Sequence, residues 1–406
     1  MPKAKIQKRI YFDYAATTPV DSRVLKEMQP YFSDKFGNAM SLHHFGRDAS
    51  DALEKSRKII ADVIKAESNE IIFTSSATES NNFALKGVAL ANKRKGNHII
   101  ISSVEHDCVL NSAKWLAKNG FKITFLPVDK YGLIKARDLK KAIKKNTILV
   151  SVIHANNEIG TIEPIAALGK ICCQASSQKK IYFHTDAVQS FGKLPIDVNK
   201  MNIDLLTASS HKIYGPRGAG LLYIKKGTLI EPLMSGGGQE FGLRPSTTNV
   251  PAIVGFAKAA QIYQKEAEKE NARLSRLRDK FIRVVLTKIP HSYLTGHPIK
   301  RLPNNASFRF SFIEGESILM MLDSYGIAVS TGSACSSHSL ELSHVLSSCG
   351  IKPEDVNGSL RVSFGRQTKE SDVDYLLKVL PNVIKKLREV SPFKHRPTIK
   401  TVALRH

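Results

Sequence analysis

The stretch Thr207-Ala-Ser-Ser-His211-Lys212-Ile-Tyr-Gly-Pro-Arg-Gly-Ala-Gly220 separates two apolar runs, residues 203–206 and 221–224. The runs have the composition of buried strands, so the stretch between them is predicted to be a loop. Its glycines permit a tight turn around a bound group. A lysine beside buried strands can lose its proton and form a Schiff base with a carbonyl, whereas an isolated lysine in a turn is usually a surface residue. Residues elsewhere in the chain distinguish these two interpretations.

Length and composition indicate a globular protein of two or three domains. The chain has 406 residues, of which 42% are hydrophobic and 24% are charged, and a chain of this length buries a sizeable core. No apolar run approaches the roughly 20 residues that span a bilayer. The basic N-terminus also lacks the apolar region of a secretory signal. We therefore expect no contact with membranes.

The cysteines indicate a reducing compartment. They are odd in number and scattered, without a CxxC pair, at positions 108, 172, 173, 335 and 349. This distribution argues against a disulfide framework and against a structural zinc site, and His106-Asp-Cys108 alone is too little to predict a metal. We expect a cytoplasmic protein with no resident metal.

The formal net charge of +24 is large. It is compatible with nucleic acid, an anionic membrane or an acidic protein as partner. The lysines are spread along the chain, most densely at 93–95, 135–145 and the C-terminal tail, and no helix-turn-helix, RNA-binding or zinc-finger pattern accompanies them. The charge is therefore interpreted as a solvated basic surface. Nucleic-acid binding is not indicated, and an acidic partner stays open.

Strands and helices are predicted to alternate from residue 71 to residue 224, which indicates a mostly parallel sheet covered by helices. Ligands of such sheets bind at the carboxyl ends of the strands. Polar side chains recur at that position in this chain, at Thr78, His106, Asn157, Asp186 and Gln189. We therefore predict a binding site at one edge of the sheet.

The segment 71–82 is predicted to pass from a strand to the N-terminus of a helix. Ser76 is the predicted N-cap, with Glu79 at capping-box spacing. Free N–H groups and the helix dipole favour an anion there. Because the Gly-Lys-Ser/Thr of a nucleotide P-loop is absent, a monophosphate is favoured over a triphosphate. The alternative is an ordinary capped helix.

A second unit follows the long, mostly helical stretch 251–289. Residues 306–312 and 360–364 alternate apolar and polar side chains, which predicts strands with one face on a core, and Arg361 falls on the polar face. Between these strands, the segment 330–339 is rich in Ser, Gly, Ala and Thr and contains Cys335. Such a segment buries little and is predicted to be mobile. Its thiol is either an accessible reactive group or a free surface cysteine.

Together these residues match the requirements of pyridoxal 5′-phosphate. The cofactor needs a lysine that binds its aldehyde, Lys212, and a carboxylate that keeps its ring nitrogen protonated, Asp186. It also needs a flat group over the ring, His106. Donors to the phosphate would come from Ala77, Thr78, Ser209 and His211, and hydrogen bonds to the phenolic oxygen from Gln189 and Asn157.

The sequence resembles the class I cysteine desulfurases of the iron–sulfur-assembly type, which are fold-type I pyridoxal-phosphate enzymes of the class-V aminotransferase family. The matching motifs extend from Tyr11 to about Pro392, nearly the whole chain. They include FTSSATESNN (73–82), VEH (104–106), HTDAVQSFGKLPID (184–197), SSHKIYGPRGAG (209–220), STGSACSS (330–337) and LRVSFGR (360–366).

The resemblance implies an α/β fold, with a mostly parallel seven-stranded sheet between helices and a smaller α+β domain, in a homodimer. The large pyridoxal-phosphate domain would span 19–267. The small domain would comprise 1–18 and 268–406, with the cysteine loop at about 328–340 and a basic C-terminal tail. The implied reaction converts L-cysteine to L-alanine and leaves a persulfide on the enzyme. An iron–sulfur scaffold or another sulfur acceptor, including one for tRNA thiolation, would receive the sulfur.

The resemblance also implies roles for single residues. Lys212 would hold the cofactor and move protons between Cα and C4′, His106 would shuttle protons at the substrate thiol, and Cys335 would attack the substrate sulfur. Cys335 is also implied as a transient iron–sulfur ligand. The substrate would bind to Arg361, Asn157 and Asn38, and Thr247 would reach the cofactor phosphate of the neighbouring subunit.

Three motifs depart from the family pattern. The family's Asn-Pro-Ser-Ser-x-His is Asn38-Ala-Met-Ser-Leu-His43 in this chain, and Arg-Ser-Gly-Thr is Arg244-Pro-Ser-Thr247. The lysine loop has Ser210 in place of a glycine. Because the proline stiffens the turn before Thr247, the reach of that threonine stays open.

Alternative functions come from the same fold and from a different class of protein. A selenocysteine lyase and an aminotransferase share the fold, and Cys335 argues against the aminotransferase because that reaction needs no thiol. An inactive basic scaffold or nucleic-acid-binding protein is the alternative from another class. Intact Lys212, Asp186 and His106 argue against it.

Overall fold

The computed structural model describes residues 9–176, 180–331 and 342–392. The strands, in chain order, are β1 (Ile10–Tyr11), β2 (Ile71–Thr74), β3 (His98–Ser102), β4 (Lys122–Leu126), β5 (Thr147–Ser151), β6 (Tyr182–Asp186), β7 (Leu205–Ser209), β8 (Gly220–Ile224), β9 (Ser292–Leu294), β10 (Asn305–Phe310), β11 (Ile327–Ala328) and β12 (Ser359–Ser363). The helices are α1 (Ser22–Met28), α2 (Pro30–Ser33), α3 (His44–Ile64), α4 (Ala77–Asn82), α5 (Val88–Ala91), α6 (Asp107–Lys118), α7 (Ala136–Ala142), α8 (Ile165–Ala175), α9 (Val250–Lys288), α10 (Gly315–Ser324), α11 (His344–Ser348), α12 (Pro353–Val356) and α13 (Glu370–Val390).

The central sheet has seven strands in the order β2-β8-β7-β6-β5-β3-β4. Strand β8 is antiparallel to both of its neighbours, and the other pairs are parallel. Every residue of β3, β5, β6, β7 and β8 is buried, as is typical of strands covered on both faces. The predicted mostly parallel seven-stranded sheet is confirmed.

Helices cover both faces of this sheet and form two hydrophobic cores on it. Successive residues of β2 show the division, because Phe73 packs with α3 and α9 in one core whereas Ile72 packs with α6 in the other. This alternation follows from the period of two along a strand. The parallel strands therefore point their carboxyl ends at one edge of the layered structure, where a site is expected.

The stretch predicted as a mostly helical connection is one continuous helix, α9 (Val250–Lys288). Its first half packs on the central sheet through residues such as Phe256, and its second half enters a separate core through residues such as Phe281. The change between the two cores falls between Tyr263 and Leu274. This position supports the division predicted at residue 267, which stays a prediction.

The second core contains a three-stranded antiparallel sheet, in the order β12-β10-β9. Alternate residues of β10, Ala306, Phe308 and Phe310, face this core together with α10 and α13. Strand β1 from the start of the chain pairs in parallel with β11. Its neighbour Phe12 is also part of this core, so the first and the last described elements, β1 and α13, both contribute to this part of the structure. Among the described residues, no helix has the length and apolar character of a transmembrane span.

Candidate active site

A cavity of about 770 Å³ opens at the carboxyl edge of the central sheet. It collects side chains that follow β2, β3, β5, β6 and β7, together with residues from β12. The predicted site residues that line it are Ala77, Thr78, His106, Asn157, Asp186, Gln189, Ser209, His211, Lys212 and Arg361. The structure thus brings together in one space residues that are distant in sequence.

Lys212 ends the short 3-10 turn that follows β7. Its Nζ donates hydrogen bonds to the carbonyl oxygens of Ala15, at 2.7 Å, and Ala16, at 2.6 Å. The neighbouring Thr17 contacts His211 through Oγ1 and Nδ1, 3.1 Å apart. Burial, with Lys212 nearby, lowers the pKa of His211 to about 4. The N-terminal turn therefore orients the lysine beside an imidazole that is neutral at pH 7.

Asp186 occupies the carboxyl end of β6 and is 3% exposed. Its two oxygens accept hydrogen bonds from the Val188 backbone N–H, at 2.9 Å, and from Asn81 Nδ2, at 2.7 Å. Burial raises the pKa of this carboxyl, and the nearby His106 opposes the rise. A buried carboxylate so placed is suited to a protonated ring nitrogen, because a close positive charge would favour its ionised form.

The helix that begins at Ala77 presents its N-terminus to the cavity. Ser76 Oγ accepts the Glu79 backbone N–H, as predicted, but the Glu79 carboxylate accepts from Ser75 N–H rather than from Ser76. Arg244 Nε donates to the same carboxylate at 2.9 Å. The helix continues from α4 through a π-helical turn (Phe83–Gly87) into α5.

Strand β8 approaches this helix start closely at Gly220. A Cβ at that position would lie 2.6 Å from the carbonyl carbon of Ser76, which no side chain tolerates. The glycine therefore keeps the backbone N–H groups of the helix open toward the cavity. These groups and the hydroxyls around them can bind a phosphate.

His106 is the N-cap of α6, and its Nδ1 accepts the Cys108 backbone N–H at 3.2 Å. Because Nδ1 accepts this hydrogen bond with its lone pair, a neutral ring carries its proton on Nε2. The Cys108 Sγ lies 3.1 Å from the same Nδ1 and 3.1 Å from Asn81 Nδ2. Cys108 thus links the ring to the amide that binds Asp186. In the part of the chain that the structure describes, no group of three or more His, Cys, Asp or Glu side chains could hold a metal ion.

Arg361 lies on β12 and is only 3% exposed. The strand face on which the sequence predicted it is therefore buried, and Arg361 lines the cavity there. Its Nη2 binds Asp13 Oδ1 at 2.9 Å, and its Nη1 donates to the Asn157 carbonyl oxygen at 2.9 Å. Gln189 donates to the Ala15 carbonyl oxygen at 2.9 Å. The predicted bonds from Gln189 and Asn157 to a phenolic oxygen stay predictions.

Two predicted site residues lie outside this cavity in the chain. Asn38 is exposed, and its side chain accepts the Met40 backbone N–H at 3.0 Å. Thr247 is exposed in a separate depression of about 210 Å³, which Arg244 also lines. A role for either residue in this cavity would require a second subunit.

Cys335 lies outside the described residues, within 332–341. The residues on both sides of this segment are anchored at the cavity. Ser330 and Arg361 exchange two backbone hydrogen bonds, of 3.2 and 2.7 Å. Ser343 Oγ donates to Glu158 Oε2 at 2.6 Å, and Ser343 also lines the cavity.

Sequence reasoning missed two buried carboxyl groups that line the cavity, Glu105 and Glu158. Burial raises the pKa of Glu105 to about 8 and that of Glu158 to about 7. Ser102 Oγ donates to Glu105 Oε1 at 2.6 Å. Both glutamates lie in the loops after β3 and β5, next to His106 and Asn157 in sequence, so the rule that selected those two residues could have found them as well.

Comparison with known proteins places this architecture in a family. The family model for aminotransferase class V matches residues 10–376. The chain is 52% identical to the cysteine desulfurase IscS of Dictyoglomus turgidum over 96% of its length and 98% of that protein. It is also 52% identical to cysteine desulfurase IscS 1 of Archaeoglobus fulgidus over 95% of its length and 100% of that protein.

Solved structures agree with the sequence relatives. A NifS-like protein superposes with a TM-score of 0.87 at 38% identity, covering 94% of this chain and 100% of its own. SspA in complex with cysteine superposes with a TM-score of 0.78 at 38% identity, covering 87% and 98%. The chain therefore belongs to the class-V aminotransferase family, among its pyridoxal-phosphate-dependent cysteine desulfurases.

Proposed function

We propose that the protein transfers the sulfur of L-cysteine to Cys335, giving L-alanine and a cysteine persulfide. The observation that carries the proposal is that Lys212, Asp186 and His106 meet in one cavity, beside both ends of the segment that contains Cys335. The similarity to cysteine desulfurases does not favour an aminotransferase, a selenocysteine lyase or an inactive scaffold.

The residues of the cavity fit pyridoxal 5′-phosphate. Lys212 would hold its aldehyde carbon, Asp186 its ring nitrogen, and the helix start at Ala77 and Thr78, with Ser209 and His211, its phosphate. When bound, the cofactor supplies an electron sink for the electrons left at the substrate Cα after its proton is removed. The cavity volume of about 770 Å³ accommodates both cofactor and amino acid.

Two side chains of the cavity can move protons. The Lys212 amine can take the substrate Cα proton and return it, and the carbonyls of Ala15 and Ala16 orient its Nζ. The Nε2 atom of His106 can exchange a proton with the substrate thiol, since Nδ1 is held by the backbone of α6. The two residues act on different protons because different contacts hold them: two backbone carbonyls orient Lys212 Nζ, and a backbone N–H binds His106 Nδ1.

Arg361 is suited to the substrate carboxylate. Its Nε has no hydrogen-bond partner among the described residues although it is buried, and an unpaired buried donor is costly. A bound carboxylate would satisfy this donor and share the guanidinium with Asp13, 2.9 Å from Nη2. Arg361 would thereby place the substrate sulfur in the same cavity as His106.

The sulfur transfer is balanced in atoms and electrons. The Cys335 thiolate attacks the substrate sulfur, so an S–S bond forms and the substrate Cβ–S bond breaks. The electron pair of the broken bond stays with Cβ, which takes up a proton and becomes the methyl group of L-alanine. The anchors at Ser330 and Ser343 support this role because both ends of the Cys335 segment meet the cavity.

We also propose a homodimer. An exposed apolar patch at α2 and the start of α3, consisting of Phe32, Phe36, Met40, Leu42 and Phe45, supports it, with Leu42 90% exposed. Exposed apolar clusters of this kind mark interfaces. Asn38 lies within this patch, between Phe36 and Met40, so a second copy covering the patch would also contact Asn38. Sedimentation of a monomer at micromolar concentration would contradict this arrangement.

We propose that the acceptor is an iron–sulfur scaffold or another sulfur-accepting protein in the cytoplasm, for cluster assembly and for tRNA thiolation. The free thiols of Cys108, Cys172, Cys173 and Cys349 support a reducing compartment. The net charge of +24 supports an acidic acceptor. Binding of such an acceptor should weaken strongly with salt, and salt-insensitive binding would contradict it.

The test of the proposed reaction is to add L-cysteine and measure alanine and sulfide. We expect Lys212→Ala to lose the visible absorption band of the bound cofactor and to release neither product. Cys335→Ala should keep the band but lose sulfide release by at least about 100-fold. Cys173→Ala, which removes an exposed thiol on α8, is the matched control and should behave like wild type. Normal sulfide release by Cys335→Ala would overturn the persulfide role.

A further inference from the structure

The edge of the central sheet opposite the cavity carries a cluster of basic turns. Three turns lie at the amino ends of β3, β4 and β5, at residues 92–97, 118–122 (with the last residue of α6 and the first of β4) and 143–146. Asn97 joins them, because its Nδ2 donates to the Gly120 carbonyl oxygen at 3.3 Å and its Oδ1 accepts from Asn146 Nδ2 at 2.8 Å. The turns therefore form one continuous surface, which we call the amino-edge patch.

The amino-edge patch is strongly and uniformly basic. Its exposed cations are Lys93, Arg94, Lys95, Lys118, Lys122, Lys144 and Lys145, and the three turns contain no Asp or Glu. Neighbouring strands lie about 4.8 Å apart, so β5, β3 and β4 confine these cations to a narrow surface. At the start of β3, burial, with Lys144 and Lys122 adding to it, lowers the pKa of His98 to about 4.

Folding creates this concentration of charge. About fifty residues separate Lys93–Lys95 from Lys144–Lys145 in the sequence. Each group by itself is typical of a solvent-exposed turn. The sheet order β5-β3-β4 makes them neighbours. Like charges this close repel one another and destabilise the folded state unless counter-ions or an anionic partner neutralise them.

The chemistry of the patch favours phosphates over a protein surface. Its exposed side chains are Lys, Arg and Asn, and its one aromatic residue, Phe121, is 4% exposed. Interfaces between proteins usually contain an apolar core, which this surface does not offer. Nucleic-acid backbones instead bind to clustered cations and amide donors through their phosphates.

We propose that the amino-edge patch binds the phosphate backbone of a nucleic acid, without regard to base sequence. This surface faces away from the cavity, so that a bound nucleic acid leaves the cavity open to substrate and acceptor. Binding at this patch does not depend on the reaction proposed above. Binding at a defined site differs from attraction by the net charge of the protein, because only the former depends on which cations are replaced.

The test measures the anisotropy of a fluorescein-labelled RNA hairpin titrated with the full-length protein. The variant Lys93→Glu/Arg94→Glu/Lys95→Glu should weaken binding at least about tenfold and make the slope of log K against log salt shallower by about three, one for each cation lost. The control Lys378→Glu/Lys385→Glu/Lys386→Glu makes the same charge change on exposed positions of α13 and should bind like wild type.

Several outcomes would overturn the proposal. An equal loss in both triple variants would show attraction by net charge alone. Tighter binding of polyglutamate than of the hairpin, lost in the patch variant, would show an acidic protein as the partner. Should the charge-reversed variant fail to fold, Lys93→Gln/Arg94→Gln/Lys95→Gln replaces it and should still weaken binding at least about threefold. Cysteine desulfurase activity should stay unchanged in each folded variant, because none of these positions lines the cavity.

Discussion

Ser246 has a backbone φ of 101°, in a region that favours glycine. Glycine adopts this conformation without strain, whereas this chain has Pro245-Ser246 before Thr247. A Cβ on the facing Gly236 would lie 2.6 Å from Pro245 Cβ, so glycine at 236 makes room for the proline. The backbone is therefore strained at Ser246, in the turn before Thr247, and Pro245 makes that turn rigid.

Ser246→Gly should relieve this strain. A side chain in the left-handed region costs about 1 kcal/mol or more, so we expect the glycine variant to raise the free energy of unfolding by about 1 kcal/mol. Urea denaturation monitored by circular dichroism measures it. Ser246→Ala keeps the Cβ and is the matched control, for which no gain is expected. A gain in both variants would mean that the hydroxyl, not the backbone, is unfavourable.

At the scale of elements, the loop before α9 is attached to α3 and β2 by a buried ion pair. Glu240 accepts from Arg57 Nη1 and Nη2, at 2.8 and 2.9 Å, and from the Phe73 backbone N–H at 2.7 Å. The Arg57 guanidinium also lies 5.0 Å from the ring centres of Phe73 and Phe241. Helix α3, strand β2 and the loop that leads to Thr247 therefore meet at one guanidinium.

Glu240→Ala should remove the buried partner of Arg57 and leave this buried charge with the largely exposed Glu54, 3.1 Å from its Nε, as its remaining carboxylate partner. Breaking a buried pair in this way typically costs about 3–5 kcal/mol, and we expect a loss of that order in the free energy of unfolding, measured with urea. The exposed pair of Lys58 and Asp62, also on α3, gives the control, because Lys58→Ala should cost no more than about 0.5 kcal/mol. A small effect of Glu240→Ala would mean that water reaches Arg57.

At the scale of the whole molecule, burial raises the pKa of the carboxyl groups of Glu105, Glu158 and Glu163 well above their usual range. Burial raises the pKa of Glu163 to about 8, although its Oε2 accepts the Ile134 backbone N–H at 3.0 Å. In the unfolded chain this group ionises near pH 4.3. Between these values the native state binds one proton more than the unfolded state, so its contribution to stability falls as the pH rises.

Glu163→Gln should abolish the decrease in folding stability that Glu163 causes as the pH rises. We expect the stability difference between the variant and wild type to grow in favour of the variant from pH 5 to pH 8, by at most about 1.4 kcal/mol per pH unit. Urea denaturation at several pH values measures it, and buried histidines, common to both proteins, cancel in the difference. Glu389→Gln, at an exposed position, should show no such trend. A pH-independent difference would contradict a buried protonated Glu163.

The sequence predicted the sheet and much of the site for physical reasons that the structure makes plain. Asp186 ends a buried strand, and His106 and Lys212 lie within a few residues after buried strands. Parallel strands bring their carboxyl ends together whatever the lengths of the helices between them. Ala15 and Ala16 gave no such signal, since backbone carbonyls are the same in every residue. The amino-edge patch was equally hidden, because only the order of the strands makes its turns neighbours.

The pairing of β1 with β11 sets a time order for building the protein. Ile10 pairs with Ile327, and the turn that follows β1 supplies the carbonyls that hold Lys212. During synthesis the first of these strands leaves the ribosome long before the second, and contacts so distant in sequence form late. The central sheet can therefore form before the carbonyl groups of Ala15 and Ala16 are in place to bind Lys212. We therefore expect the surroundings of Lys212 to be completed only after β11 has paired with β1, late in folding.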